Sequence, residues 1–155
     1  LRAKLLSAQD YAGKFSSGTS TAVRNFLFYN HDEHAAHWLV ATDDQLFSWH
    51  TEVANPATPS GDRTVVGLLY QVVIEDTDGD SRLTAADMSD LALSDPTGQN
   101  YEILLTDIEQ RKGYKQIGDG RFVFFFRRDG KLRVAEIDTI GRTLDRDVEL
   151  LPTPE

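Results

Sequence analysis

Apolar residues in this chain recur in short runs, mostly at every second position, and turn-forming residues separate the runs. That is the signature of β-strands with one face buried. Such runs are expected at Val23 to Tyr29, His37 to Val40, Leu46 to Val53, Gly67 to Glu75, Leu91 to Asp95, Tyr101 to Leu105, Leu132 to Ile137 and Val148 to Leu150. Arg121 to Arg127 holds Phe122, Val123, Phe124, Phe125 and Phe126 in succession, too apolar for a half-exposed strand, and should be central in its sheet. Asp129-Gly130 marks a hairpin, Gly118-Asp119-Gly120 and Gly141-Arg142 mark tight turns, and Asp95-Pro96-Thr97-Gly98 places proline where its fixed φ suits a turn. The pattern defines an all-β, mainly antiparallel protein.

At the two ends the pattern weakens. Residues 1–22 read as an N-terminal arm, a short helix or an irregular segment over Leu1 to Phe15 followed by a polar connector, Ser16 to Thr21. Residues 23–150 form a single β-rich domain, and 151–155 are a tail with Pro152 and Pro154. Asn55 to Arg63, with Pro56, Pro59 and Gly61, is the clearest break within the domain.

One stretch carries chemistry. Asp76-Thr77-Asp78-Gly79-Asp80-Ser81-Arg82-Leu83-Thr84-Ala85-Ala86-Asp87 puts carboxylates at the first, third, fifth and twelfth places of a twelve-residue loop. This is the spacing of an EF-hand calcium loop, because a cation of that size takes six to eight oxygens and alternate residues of a tight loop point at one centre. On this reading Asp76, Asp78 and Asp80 are side-chain ligands and Arg82 offers its carbonyl. Thr84 acts directly or through a water, and Asp87 closes the far side.

Two positions depart from the pattern. Ser81 stands where glycine normally supplies a positive φ, at a cost of roughly 1 kcal/mol. Asp87 is one methylene shorter than the usual Glu. The alternative is a bare acidic turn in which Thr84 and Asp87 cap a helix start. Four carboxylates within twelve residues repel one another without a cation, which favours calcium.

The flanks set the ion's role. A β-branched run enters the loop, Thr84 to Asp90 has room for at most two helical turns, and an extended stretch follows. The insert is therefore strand, calcium loop, short helix, strand. It has no helix pair of the kind that sensor EF-hands swing open, so a single structural ion is expected.

Composition narrows the class further. The 155 residues are 40% hydrophobic and 26% charged, ordinary globular material. A net charge of −9 opposes binding to nucleic acid and to anionic membrane surfaces. No apolar run is long enough to span a bilayer. There is no cysteine, hence no disulfide framework and no thiol chemistry. The sequence starts at Leu1 and not Met, from which a removed leader is expected, where a signal peptide or lipid-attachment cysteine would lie. A calcium site of modest affinity fills only where calcium is abundant, which points to the periplasm, the cell surface or secretion.

Phe26 to Asn30, Leu91 to Asp95 and Leu132 to Asp138 are alike. Each is a short alternating strand ending in Asn or Asp, with a turn and a second apolar strand after it. The last two are spaced near the period of about 40–45 residues of a four-strand propeller blade. With the turn Ser94-Asp95-Pro96-Thr97-Gly98, these stretches resemble the WD-like β-propeller repeats of TolB-type bacterial envelope proteins. Some of those also carry a "DTNGDG" calcium insert between blade strands, similar to Asp76 to Asp87 here. The resemblance implies blade-like hairpins in an open or partial propeller, since a chain this long makes about three blades and closed propellers have at least four. An open stack or closure by homo-oligomerisation follows from that shortfall.

Two other clusters of charged or metal-ligating residues occur in the sequence. His31, His34 and His37 lie beside Asp32 and Glu33, and could hold zinc for a metal-dependent hydrolase; a solvated polar turn is the simpler reading. Arg121, Arg127, Arg128 and Lys131 should pair with surplus carboxylates at the surface. No nucleophile–base motif, phosphate loop or zinc-protease motif is present, so a non-enzymatic domain that binds a protein or small ligand is expected.

Overall fold

A computed structural model describes residues 3–7, 23–55 and 64–150. The proline-rich break from Pro56 to Arg63, the connector Ser16 to Thr21 and the tail 151–155 lie outside the described residues. Among the described residues eleven strands appear in chain order: β1 (Ala3–Ser7), β2 (Phe26–Asn30), β3 (Ala35–Trp38), β4 (Leu46–Ala54), β5 (Val65–Val73), β6 (Ser89–Ser94), β7 (Glu102–Ile108), β8 (Gln110–Gly118), β9 (Arg121–Arg128), β10 (Lys131–Asp138) and β11 (Thr143–Glu149). They form three antiparallel meanders, β1-β2-β3, β4-β5-β6-β7 and β8-β9-β10-β11. None of the sheets closes on itself. The architecture is all-β with blade-like sheets, compatible with an open or partial propeller.

The second sheet is the middle layer. On one side Leu68, Tyr70, Val72 and Ala92 pack with Phe26 and Phe28 of the first sheet. On the other, Leu69, Leu91 and Leu93 pack with Phe122, Phe124 and Phe126 of the third. β5 is therefore covered on both faces, and every residue from Gly67 to Val73 is buried. Its largely apolar sequence follows from that, and the buried Gln71 within it donates its side-chain amide to the Ser89 hydroxyl at 2.8 Å. β9 is an internal strand of its sheet, as its phenylalanines predict. Only Phe122, Phe124 and Phe126 join the core between sheets, while Phe125 faces the other way and is half-buried.

Turn chemistry matches the sequence. Asp129 and Gly130 both take positive φ, 52° and 71°, as a two-residue hairpin turn requires. Gly98 has φ 79°, and a Cβ there would overlap the Phe28 ring, so the Asp95–Gly98 turn packs against the first sheet. Arg142 reaches from the β10–β11 turn to Asp95 at 2.7 Å and Glu102 at 3.2 Å, bolting the third sheet to the second. Three of the four basic residues pair with carboxylates as expected, Arg128 with Asp147 at 2.9 Å and Arg121 and Lys131 in looser contacts with Glu136 and Glu149, while Arg127 donates to the Gln110 side chain at 3.2 Å.

Three expectations are corrected. Ala3–Ser7 is a strand paired with β2, not a helix or an irregular arm. β8 had no strand signal at all. Its Lys, Arg, Gln and Gly residues occupy a sheet edge with irregular register, where charge protects the strand's unpaired side and no apolar alternation is needed. The short helix after the acidic loop is absent. One turn closes when Asp87 donates its amide to the Thr84 carbonyl at 3.1 Å. Met88 then gives its N–H to the Thr77 hydroxyl at 2.8 Å instead of to a helical carbonyl, and Ser89 begins β6.

Candidate metal centre

The acidic loop is the connection between two neighbouring antiparallel strands of the middle sheet, β5 and β6, where Val72 faces Asp90. Both strands are held by cores on either side, so the two ends of the loop are fixed. Within it, the first three aspartates accept hydrogen bonds from amides further along. Asp76 takes those of Gly79 at 2.8 Å and Ser81 at 2.7 Å. Asp78 takes the Asp80 amide at 3.1 Å, and Asp80 takes that of Arg82 at 2.8 Å. Coiling of this kind brings alternate side chains, those of Asp76, Asp78 and Asp80, to one side. Carboxylate oxygens of Asp76, Asp78 and Asp80 lie within 4.8 Å of one another, and among the described residues this is the one group of three or more such side chains close enough to share an ion.

Ser81 has φ 68°, the left-handed conformation anticipated from its place in the loop, and Gly79 has φ 78°. Since Ser81 bears a Cβ in a conformation that favours glycine, Ser81→Gly should stabilise the coiled loop by about 1 kcal/mol. The expected readout is a divalent-ion affinity roughly fivefold tighter in a calorimetric titration. An unchanged or weaker affinity would show that the serine is not strained.

Asp87 behaves differently from the other three acids. It is 1% exposed. Its Oδ2 accepts the Thr84 amide at 2.8 Å, and its Oδ1 accepts the Thr77 amide at 2.9 Å and the Asp78 amide at 3.2 Å. The Thr84 amide first, then those of Asp78 and Thr77, hold its pKa below the ordinary carboxylate value against the opposing effect of desolvation. It stands under the loop as a brace and is not part of the close group of three. Thr84 likewise spends its amide on Asp87 and accepts the Ala86 amide at its hydroxyl, 3.2 Å away. Nothing in the sequence separated a closing ligand from an internal brace, because both are acids at the loop's end.

Neighbouring groups also act on Asp78. The Asp80 amide pulls its pKa down, but desolvation, the Asp76 side chain and the charges of Asp80 and Asp87 together push it above the ordinary value. Crowded carboxylates of this kind are relieved by a cation. All of the donors are hard oxygens, with no imidazole or thiolate, a set suited to calcium or magnesium and not to zinc.

Beside the loop lies a cleft of about 380 Å³ lined by Glu75, Thr77, Met88, Asp90, Asp107 and their neighbours. Burial raises the pKa of Asp90; the Asp107 amide, 3.4 Å away, opposes this, while the Asp107 and Glu75 charges add to it. No local pattern signals this cleft, since Asp107 comes from β7 and reaches the site only through sheet pairing.

The histidines do not converge. His31 and His34 are exposed in the β2–β3 turn with ring centroids 5.9 Å apart. His37 is stacked on Phe28 at 5.5 Å, and its Nε2 lies 2.9 Å from the Thr97 carbonyl. Its ring is committed to the junction between the first and second sheets.

Fold and loop together define an all-β protein of stacked antiparallel sheets with an acidic triad able to hold a metal ion. The chain matches no protein-family model, no curated protein and no solved structure.

Proposed function

We propose that this chain is a non-enzymatic calcium-binding β-domain of the bacterial cell envelope, built from TolB-like propeller repeats. Its single ion would be structural, tying the end of β5 to the start of β6. The observation that carries the reading is the convergence of Asp76, Asp78 and Asp80 within 4.8 Å at a coiled loop whose two ends are anchored in the core. A net charge of −9 favours cation retention and disfavours nucleic acid. Among the described residues no helix is long and apolar enough to cross a membrane. The envelope location rests on the expectation that a site with a strained sixth position and only three converging carboxylates binds calcium with modest affinity. A protein or small ligand at the sheet ends is the partner that this location and fold suggest.

Calorimetric titration of metal-stripped protein tests the proposal. One calcium ion per chain should bind, and Asp78→Ala combined with Asp80→Ala should abolish the heat. Tight zinc binding that persists in that double variant and disappears in His34→Ala would instead establish a transition-metal site in the β2–β3 region, as a hydrolase would need.

A further inference from the structure

The second and third sheets meet along β4 and β8, each an edge strand of its own sheet. Register places Arg111, Tyr114 and Gln116 of β8 opposite Phe126, Phe124 and Phe122, so all three share the face that the core phenylalanines turn towards the second sheet. Gln116 uses this position to bond the backbone of Ala54. Arg111 meets rings instead. Its guanidinium carbon lies 4.7 Å from the Trp49 ring centroid and 5.8 Å from that of Tyr114, and the two rings are 4.8 Å apart.

Other arginines of this region have carboxylates. Arg128 and Arg133 share Asp147, each at 2.9 Å, and Arg142 holds Asp95 at 2.7 Å. Arg111 forms no such pair among the described residues, and its Nη1 is buried without a hydrogen-bond partner. Burial lowers its pKa, and Tyr114 opposes the change. The neighbouring rings add an indole N–H, which can only donate, and a phenol hydroxyl on a residue 48% exposed. A half-buried cation flanked by donors and by no carboxylate is what an anion receptor consists of, because charge-assisted bonds to an oxyanion offset the cost of desolvating the guanidinium. The planar fork matches the two oxygens of a carboxylate, and the aromatic surround suits an apolar body attached to it. A net charge of −9 disfavours a multiply charged anion such as phosphate.

We propose that Arg111, with Trp49 and Tyr114 beside it, binds a singly charged carboxylate borne on an apolar group. Arg111 supplies the charge and the paired donors, and the two rings hold its guanidinium in place. A free organic acid and the C-terminus of a peptide both present this group. The site is separate from the acidic loop and does not depend on calcium there.

Titration of the full chain in EDTA at constant ionic strength tests this, read by tryptophan fluorescence and by the Arg111 Nε–Hε resonance. Benzoate stands for a small acid, and the tripeptide Ala-Ala-Phe, with a free or an amidated C-terminus, stands for a chain end. Benzoate or the free-acid peptide should saturate the site with a Kd on the order of 1 mM, and whichever binds more tightly identifies the source. Benzyl alcohol, the amidated peptide and inorganic phosphate should not. Arg111→Met should abolish the response, and Arg111→Lys, which keeps the charge but not the fork, should weaken it by about tenfold or more. Circular dichroism melts establish that each variant folds, and the lysine variant carries the test if the methionine variant does not. Shifts that stay linear in both carboxylates would overturn the proposal. So would saturation by phosphate or benzyl alcohol at the same concentrations, or an Arg111→Lys affinity equal to that of the wild type.

Discussion

Calcium added to metal-stripped protein should raise its melting temperature by roughly 5–10 °C at a hundredfold excess over Kd, and EDTA should reverse the change. An ion that binds only the folded state stabilises it by RT ln(1 + [L]/Kd), about 2.7 kcal/mol under that condition. For a chain of this size each kcal/mol moves the midpoint by about 2–4 °C. The gain is transmitted because the loop ends are continuous with β5 and β6, the strands covered by core on both faces. Asp78→Ala with Asp80→Ala should melt at a temperature indifferent to calcium. A midpoint that moves equally in wild type and double variant would locate the effect away from the loop.

The increment should depend on pH in a direction fixed by two acids. Asp78 has a raised pKa in the folded protein, so in the absence of metal its proton contributes stability at low pH that is lost as pH rises through the raised value. Calcium binding requires the ionised form, and the calcium increment should therefore grow with pH across that same window. Asp87 has a lowered pKa. Its bracing contribution is present above the ordinary Asp value and disappears as pH falls through the lowered one. Melts with and without calcium, run between about pH 3 and pH 7, an interval bracketing ordinary carboxylate titration, should thus diverge as pH rises.

Phe124→Ala should be the more damaging change, lowering stability by about 3–5 kcal/mol in urea unfolding. Phe124 is fully buried between the second and third sheets, with Phe126 at 5.9 Å and Trp49 at 6.0 Å between ring centroids. Removing its ring leaves a cavity in the layer that joins two sheets, and strands pinned in register on both sides collapse poorly into it. Phe125→Ala, one residue along but on the outer face, should cost markedly less. Equal losses at the two positions would mean that the third sheet does not present different faces to the core and to the outside.

Much of this was legible in the sequence, and the reason differs by element. Alternation of apolar residues marks any strand with one buried face, so β2, β4, β6, β7 and β10 were visible from their own residues. Asp129-Gly130 and Gly98 were visible because positive φ restricts the choice of residue. The coiled acidic loop was visible because oxygen ligands must recur at fixed spacing, and the conformation of Ser81 followed from its place in it.

Other features depended on contacts that no local pattern encodes. β8 is held by its neighbour β9 and by Gln116, whose side chain bonds the backbone of Ala54 in another sheet. The expected helix failed because the Thr77 hydroxyl, eleven residues before Met88, takes the amide that would have continued it. Asp87 and Asp78 carry the same side chain within one loop, yet one became a buried brace and the other an exposed member of the acidic triad. Local sequence thus determined which segments are extended, where the chain turns and where carboxylates gather. The stacking order of the sheets, which faces are covered and what each acid does were decided by tertiary structure, because burial and hydrogen-bond competition depend on residues far apart in the chain.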